Sequence, residues 1–276
     1  MDAIVTTVDG VAVHHVESGA GTPVVVLHGM GVDHREPLAA LEPVLAARTG
    51  YRRLYPDLPG MGATPAPERL GGNGDVLDVL VAWAGAVLGG ERFLVVGHSY
   101  GAYLGRALAD RLPDRVAGLA LLCPVGARSR EVPEHVVLHR EPWPEDGLPP
   151  DQEETFADYF VVQTPATRRR FVDAVAPGAA LVDERALERI AGRWELDEAD
   201  VGRSPDVPVL VLAGRQDSSV GYASAWDLVE RYPRATFAVL DRAGHALPHE
   251  QDRLLDALVQ EWLDRVEEHR AGALQD

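Results

Sequence analysis

The chain has one cysteine, Cys123, so no internal disulfide can staple the fold. Cys123 closes the apolar run Val116 to Leu122, where a thiol packs as a small buried hydrophobe. No stretch approaches the roughly 18 consecutive apolar residues that a membrane-spanning helix needs, so no membrane partner is expected. The first ten residues carry Asp2 and Asp9 in place of a basic and then apolar leader, so a cytoplasmic location is expected. Positive charge is scarce. With 26 Lys+Arg against 43 Asp+Glu the net charge is −17, which repels phosphate backbones, leaves no nucleic-acid partner to expect, and biases weakly against anionic substrates. Neither G-x-G-x-x-G nor a P-loop occurs, so no nucleotide cofactor is expected, and no other cofactor is indicated. Repeats, low-complexity tracts and glycine-rich linkers are also missing.

What is present is enough apolar matter for one compact domain: 276 residues of which 46% are hydrophobic, with charge spread along the chain and not gathered in tails. Short β-rich runs alternate with longer helical stretches, the signature of βαβ units and a mostly parallel sheet, hence the α/β class. A hairpin is expected over Ile4 to Glu17, turning at Val8-Asp9-Gly10, and buried strands over Pro23 to Leu27, Arg52 to Tyr55, Phe93 to Val96, Val116 to Leu122, Val207 to Ala213 and Thr236 to Leu240. Helices are expected over Leu38 to Arg48, Val76 to Leu88 (capped by Asp75), Tyr100 to Arg111, Ala223 to Arg231 and Arg253 to Glu268. Between them the pattern changes to Pro-rich acidic turns followed by helical stretches Glu153 to Val162, Ala166 to Val175 and Asp183 to Trp194. The domain reading is therefore a core of residues 1–124 and 206–276, with a helical cap inserted at 125–205.

Gly97-His98-Ser99-Tyr100-Gly101 follows a four-residue apolar strand and opens a helix, the context in which G-x-S-x-G holds a serine hydroxyl above a sheet. Random placement of the chain's glycines and serines would produce the pattern only about 0.07 times. A nucleophilic serine needs a base within reach and an acid that fixes the base's tautomer, in the order Ser, acid, His on this topology. Asp217, after one strand, and His245, after the next, supply that order at the carboxyl ends of strands. One strand earlier the sequence reads Cys123-Pro124-Val125-Gly126, with no rival carboxylate. For the oxyanion, the N–H of Tyr100 is one donor, and the glycine-rich loop His28-Gly29-Met30-Gly31 offers the N–H of Met30 as the second. His28 is read as a brace for that loop.

These residues, with Tyr55-Pro56-Asp57-Leu58-Pro59-Gly60-Met61-Gly62 and Gly244-His245 followed by Glu250, resemble the α/β-hydrolase superfamily, in its branch of capped serine esterases and carbon–carbon bond hydrolases. The resemblance covers nearly the whole chain. It implies an eight-stranded sheet with the second strand antiparallel, and Ser99, Asp217 and His245 as a catalytic triad. Tyr100 departs from the small residue common after the elbow serine. Ser99 itself argues against haloalkane dehalogenases and epoxide hydrolases, which use aspartate there, and the missing His-Gly-Gly-Pro-Gly loop argues against proline iminopeptidases.

The activity expected is hydrolysis of an ester, thioester or lactone of a small organic acid. The alternatives are carbon–carbon bond hydrolysis, a ligand-binding or receptor protein on the same scaffold, and a non-hydrolytic reaction in the same pocket. Gly29, Trp143, Phe156, Phe160 and Trp194 are expected around the substrate, with Tyr159 and Phe171 among the other cap apolars. His135 with His139 and His245 with His249 have helical i, i+4 spacing but no third ligand at a metal spacing, so no metal is expected. Arg168-Arg169-Arg170 is read as a solvated helix face. Whether the chain is a monomer or a homodimer is left open.

Overall fold

A computed structural model describes residues 1–125, 132–142, 147–197, 202 and 205–272. β1 (Asp2–Val8) and β2 (Val11–Gly19) form the opening hairpin, and its two turn residues, Asp9 and Gly10, take the positive φ values (47° and 73°) that a tight hairpin of matching twist requires. Then come β3 (Thr22–Leu27), β4 (Tyr51–Pro56), β5 (Phe93–His98), β6 (Val116–Leu122), the two-residue strands β7 (His139–Arg140) and β8 (Val162–Gln163), β9 (Val209–Gly214) and β10 (Ala235–Leu240). Eight of these form one sheet in the order β1-β2-β4-β3-β5-β6-β9-β10, in which β2 alone runs against the rest.

The helices are α1 (Arg35–Ala46), α2 (Asn73–Leu88), α3 (Tyr100–Arg111), α4 (Pro150–Tyr159), α5 (Pro165–Arg170), α6 (Ala176–Ala179), α7 (Glu184–Ala191), α8 (Ala225–Arg231), α9 (Leu247–Glu250) and α10 (Asp252–Gly272). Strand alternation divides the central residues between two helical layers. Val25, Leu27, Phe93 and Val95 face α2 and α3, packing with Trp83, Leu104 and Leu108. Val24, Val26, Leu94 and Val96 face α1 and α10, packing with Leu41, Leu45 and Trp262. Because both faces are covered, β3, β5, β6 and β9 are buried almost throughout, which is why they read as continuous apolar runs. Burying each large side chain contributes about 1.5–3 kcal/mol. Along α10 the buried positions Leu255, Val259, Trp262, Leu263 and Val266 trace one helical stripe.

The start of α2 differs from expectation. α2 begins at Asn73 with Gly72 as its cap, and Asp75 lies inside the first turn, where its carboxylate accepts from Gly71 N–H at 2.7 Å and from Arg193. The glycine pair Gly71-Gly72 sits against Arg193, which leaves no room for a side chain there and moves the start ahead of the apolar run.

Between β6 and β9, α4 to α7 lie over the carboxyl ends of the strands. α5 opens with a capping box in which Thr164 and Thr167 exchange side-chain and backbone bonds. It passes into a π turn, Phe171–Val175, and then into α6. Phe156, Phe160, Phe171 and Val175 form a small core of their own that also takes in Val32 and Ala246 from the loops below. No helix among the described residues is long and apolar enough to cross a membrane.

Candidate active site

Ser99 sits between β5 and α3 with φ of 52°, a left-handed backbone that non-glycine residues rarely adopt. The turn is possible because the flanking backbones nearly touch. A Cβ at Gly97 would lie 2.3 Å from Gly101 O, and one at Gly101 would lie 2.3 Å from Leu27 O. Both glycines of the motif are therefore set by packing, and they leave the Ser99 hydroxyl facing the loops above the sheet.

The loops after β9 and β10 meet just as closely, since a Cβ at Gly214 would lie 2.2 Å from Gly244 O. This contact brings Asp217 and His245 together: His245 Nδ1 is 2.8 Å from Asp217 Oδ2, and His245 Nε2 is 2.9 Å from Ser99 Oγ. Asp217 is fully buried, and its other oxygen accepts from the N–H groups of Ser219 and Val220, both at 2.9 Å. Burial alone would raise its carboxyl, but His245 and these backbone donors hold it below the ordinary range. With Nδ1–H donating to the acid, Nε2 is free to accept from the serine.

His28 is the brace that the sequence suggests. Its Nε2 accepts from Leu58 N–H at 2.9 Å, so its Nδ1–H donates to Gly29 O at 2.7 Å, and burial keeps the ring neutral by lowering its pKa. In the same loop Gly31 N–H donates to Met61 Sδ at 3.3 Å, while the N–H groups of Met30 and Tyr100 make no hydrogen bond among the described residues. The Tyr100 phenol turns away from the site and donates to Asn73 Oδ1 at 2.7 Å.

A second chain of polar groups lies beneath the first. His98 Nε2 donates to the main-chain oxygen of His245 at 2.9 Å, and its Nδ1 is 3.1 Å from Glu36 Oε1. His249 Nε2 reaches the same oxygen at 3.0 Å. Glu36 is fully buried; burial pushes its carboxyl up, yet His98 and His249 overcome that and hold it well below the usual carboxylate range. The sequence reading misses this cluster. It starts α1 at Leu38, leaving Glu36 outside the helix, and considers His249 for its spacing from His245, whereas His249 is buried against Glu36.

Glu250 is a third support. Its Oε2 accepts from Gly244 N–H at 2.7 Å, and its Oε1 accepts from Val161 and Val162 N–H at 2.7 and 3.0 Å, tying the His245 loop to the segment around β8. Burial raises its pKa to about 7, against the pull of those donors.

A cavity of about 200 Å³ opens over Ser99 and His245, lined by Gly29, Met30, Val32, Thr155, Tyr159 and Val175 among others. Of the loop and cap residues expected there, Gly29 and Tyr159 line it. Phe156 and Phe160 belong instead to the small core with Phe171, and helical geometry gives the reason: Thr155 and Tyr159 share one face of α4, and Phe156 and Phe160 share the next. Trp194 stacks on Tyr103 with ring centroids 5.5 Å apart, away from the cavity. Trp143 lies outside the described residues. The basic run does not line the cavity: Arg168 pairs with Glu153, and Arg170 with Asp252 and His249 O.

Among the described residues, two groups of side chains bring metal-ligating atoms within 4.8 Å of one another: His98, Cys123 and His245, and His14, His34 and Asp57. In the first, both His245 nitrogens are already spent on Ser99 and Asp217. In the second, each Asp57 oxygen accepts from one imidazole at 2.8 Å and from one backbone N–H, a complete hydrogen-bonded arrangement.

Comparison with known proteins agrees with this architecture. The chain is 31% identical to the biotin biosynthesis bifunctional protein BioHC of Cellvibrio japonicus over 88% of its own length, and spans about half (48%) of that relative. It is 26% identical to a 2-hydroxy-6-oxo-2,4-heptadienoate hydrolase of Pseudomonas putida, covering 89% of this chain and 90% of the relative. It is 30% identical to the pimeloyl-[acyl-carrier protein] methyl ester esterase of Aeromonas hydrophila, covering 83% and 90%. Among solved structures, an alpha/beta superfamily hydrolase from Oenococcus oeni superposes with a TM-score of 0.88 at 25% identity, covering 97% of this chain and 100% of that one. A family model described as alpha/beta hydrolase fold matches residues 22–252, and the chain belongs to that family.

Proposed function

We propose that the protein is a cofactor-independent serine hydrolase that cleaves an ester, thioester or lactone through an acyl-enzyme. The observation that carries this reading is the unbroken chain Asp217–His245–Ser99, with links of 2.8 and 2.9 Å, ending at a strained elbow beside two uncommitted N–H groups. Ser99 Oγ attacks the carbonyl carbon while His245 Nε2 takes its proton. The developing oxyanion accepts from the N–H groups of Met30 and Tyr100, donors that need no reorganisation because the glycine loop and the start of α3 already hold them. Collapse of the tetrahedral intermediate breaks the bond to the leaving group, which receives the proton from His245. Water then attacks the acyl carbon, gives a proton to the same nitrogen, and regenerates Ser99 with release of the acid. Asp217 keeps Nδ1 protonated and stabilises the imidazolium formed at each step.

The esterase among the relatives supports this reading, and the dienoate hydrolase supports a second one, cleavage of a carbon–carbon bond beside a ketone by the same three residues. Treatment with a fluorophosphonate and turnover of p-nitrophenyl acetate and butyrate by wild type and Ser99→Ala test the first. The expected result is one adduct and turnover in wild type and neither in the variant. Labelling without ester turnover would favour the carbon–carbon reading, and no labelling at all would remove the nucleophile and turn attention to a binding protein.

A further inference from the structure

The polar groups around the cavity can be accounted for one by one. Thr155 Oγ1 donates to Asp151 O of its own helix at 2.9 Å. His98 Nε2 donates to His245 O, and its Nδ1 lies 3.1 Å from Glu36 Oε1 as an ion-pair contact. Gly31 N–H goes to Met61 Sδ. Once the triad is set aside, the Tyr159 hydroxyl is a lining side-chain group with no partner among the described residues, and the N–H groups of Met30 and Tyr100 are among the backbone donors there that make no hydrogen bond. Tyr159 comes from α4, and its ring stands edge-on to His245 with centroids 6.3 Å apart. Burial, with Glu36, Cys123, Glu250 and Asp217 around it, pushes the phenol far above its ordinary pKa, so it stays a proton donor.

The remaining wall is apolar and small. Val32, Val175 and Ala179 face the space, and its volume of about 200 Å³ falls below the roughly 300–1,000 Å³ of sites for drug-sized ligands. Among the described residues no arginine lines it, and Arg168 and Arg170 are paired elsewhere. A carboxylate carried into this space would lose its water without gaining a cation from the described lining, and would approach the buried acids Glu36, Asp217 and Glu250.

Resting on the serine-hydrolase reading, we propose that the site selects esters of short, uncharged acyl groups bearing one additional oxygen acceptor, and that the hydroxyl of Tyr159 donates to that oxygen. The acyl group lies between Val175 and the glycine loop, the reacting carbonyl points at Met30 and Tyr100 N–H, and Tyr159 provides a further side-chain polar contact.

The test uses five p-nitrophenyl esters: acetate, butyrate, octanoate, methoxyacetate, which replaces one methylene of butyrate by oxygen, and hemisuccinate, which ends a chain of butyrate's length in a carboxylate. Each kcat/KM is divided by the ester's own alkaline hydrolysis rate. Methoxyacetate should exceed butyrate by about 3- to 10-fold, the range of one hydrogen bond, and Tyr159→Phe should erase that preference. Octanoate and hemisuccinate should each fall at least about 10-fold below butyrate. Hemisuccinate matching butyrate, or an unchanged methoxyacetate preference in Tyr159→Phe, would overturn the specificity while Ser99 still takes a fluorophosphonate. Failure of Ser99 to be labelled, with no turnover of any ester, overturns the hydrolase reading and this proposal with it. Thermal melting of Tyr159→Phe guards against reading a folding defect as lost selectivity.

Discussion

The site has a floor and a roof that are built differently. The floor comes from four sheet loops whose backbones pass so close that Gly97, Gly101 and Gly214 have no room for a side chain, and its functional groups are tied by hydrogen bonds of 2.8 to 3.0 Å. The roof, α4 to α6, rests on aromatic packing around Phe156, Phe160 and Phe171, and is fastened to the floor by few polar links, among them Glu250 and Arg170. Directional contacts fix positions to fractions of an ångström, as catalysis needs. Non-directional packing tolerates exchange of one apolar group for another, as changes in specificity need. Chemistry and selectivity should therefore respond to different substitutions.

The widest gap between floor and roof is expected at the nucleophile. Ser99→Ala or His245→Ala should lower kcat by at least about 10⁴-fold, and the double variant should lose little more, since the residues act as a unit. Additive losses in the steady-state rates would argue against a shared proton-transfer chain. Next comes the layer beneath. Glu36→Gln and His98→Asn should lower kcat on the order of 10- to 100-fold with little change in KM, because the His98 contact positions the backbone of His245 and no part of it faces the acyl group. A change confined to KM would sink that assignment. In the roof, Val175→Ala should shift the preferred p-nitrophenyl ester toward longer acyl chains by several-fold while leaving the fluorophosphonate reaction intact. Equal loss across all chain lengths would place Val175 outside the acyl site.

The smallest effect belongs to the link between the two regions. Folding raises the Glu250 carboxyl from 4.5 to about 7, so the folded protein holds that proton more tightly than the unfolded chain. The stability this gives is complete below pH about 4.5 and is lost as pH rises through about 7. His15, lowered by burial to about 4, works in the opposite direction, losing stability as pH falls, and it cancels when two proteins sharing it are compared. The Tm difference between wild type and Glu250→Gln should therefore move against wild type by a few degrees between pH 5 and 8. A difference that stays flat with pH would show that Glu250 titrates elsewhere.

Motif and order sufficed for the floor because its demands are local. A serine at φ 52° needs glycines on either side, and a fully buried strand needs an unbroken apolar run, so Ser99, Asp217, His245 and the strands β3, β5, β6 and β9 are legible in one dimension. The oxyanion candidates and the bracing role of His28 follow from the same loop. The cavity wall was not legible, because Tyr159 and Phe160 look alike in composition and differ only in which side of α4 they occupy. Glu36 was hidden for another reason: a buried acid is recognisable only by its partners, and His98 and His249 lie far from it along the chain.

The π turn at Phe171–Val175 gives the roof one residue more than a regular helix would hold. Deleting a single codon there would let the segment close into regular helix while α5 and α6 kept nearly the faces they present now, since five residues of a π turn sweep about the angle that four sweep in an α-helix. The side chains that change place would be those of the turn itself, Val175 at the cavity wall among them, and the loops beneath would not have to move. A bulge of this kind lets the length of the roof vary by one residue without a shift of register on either side of it.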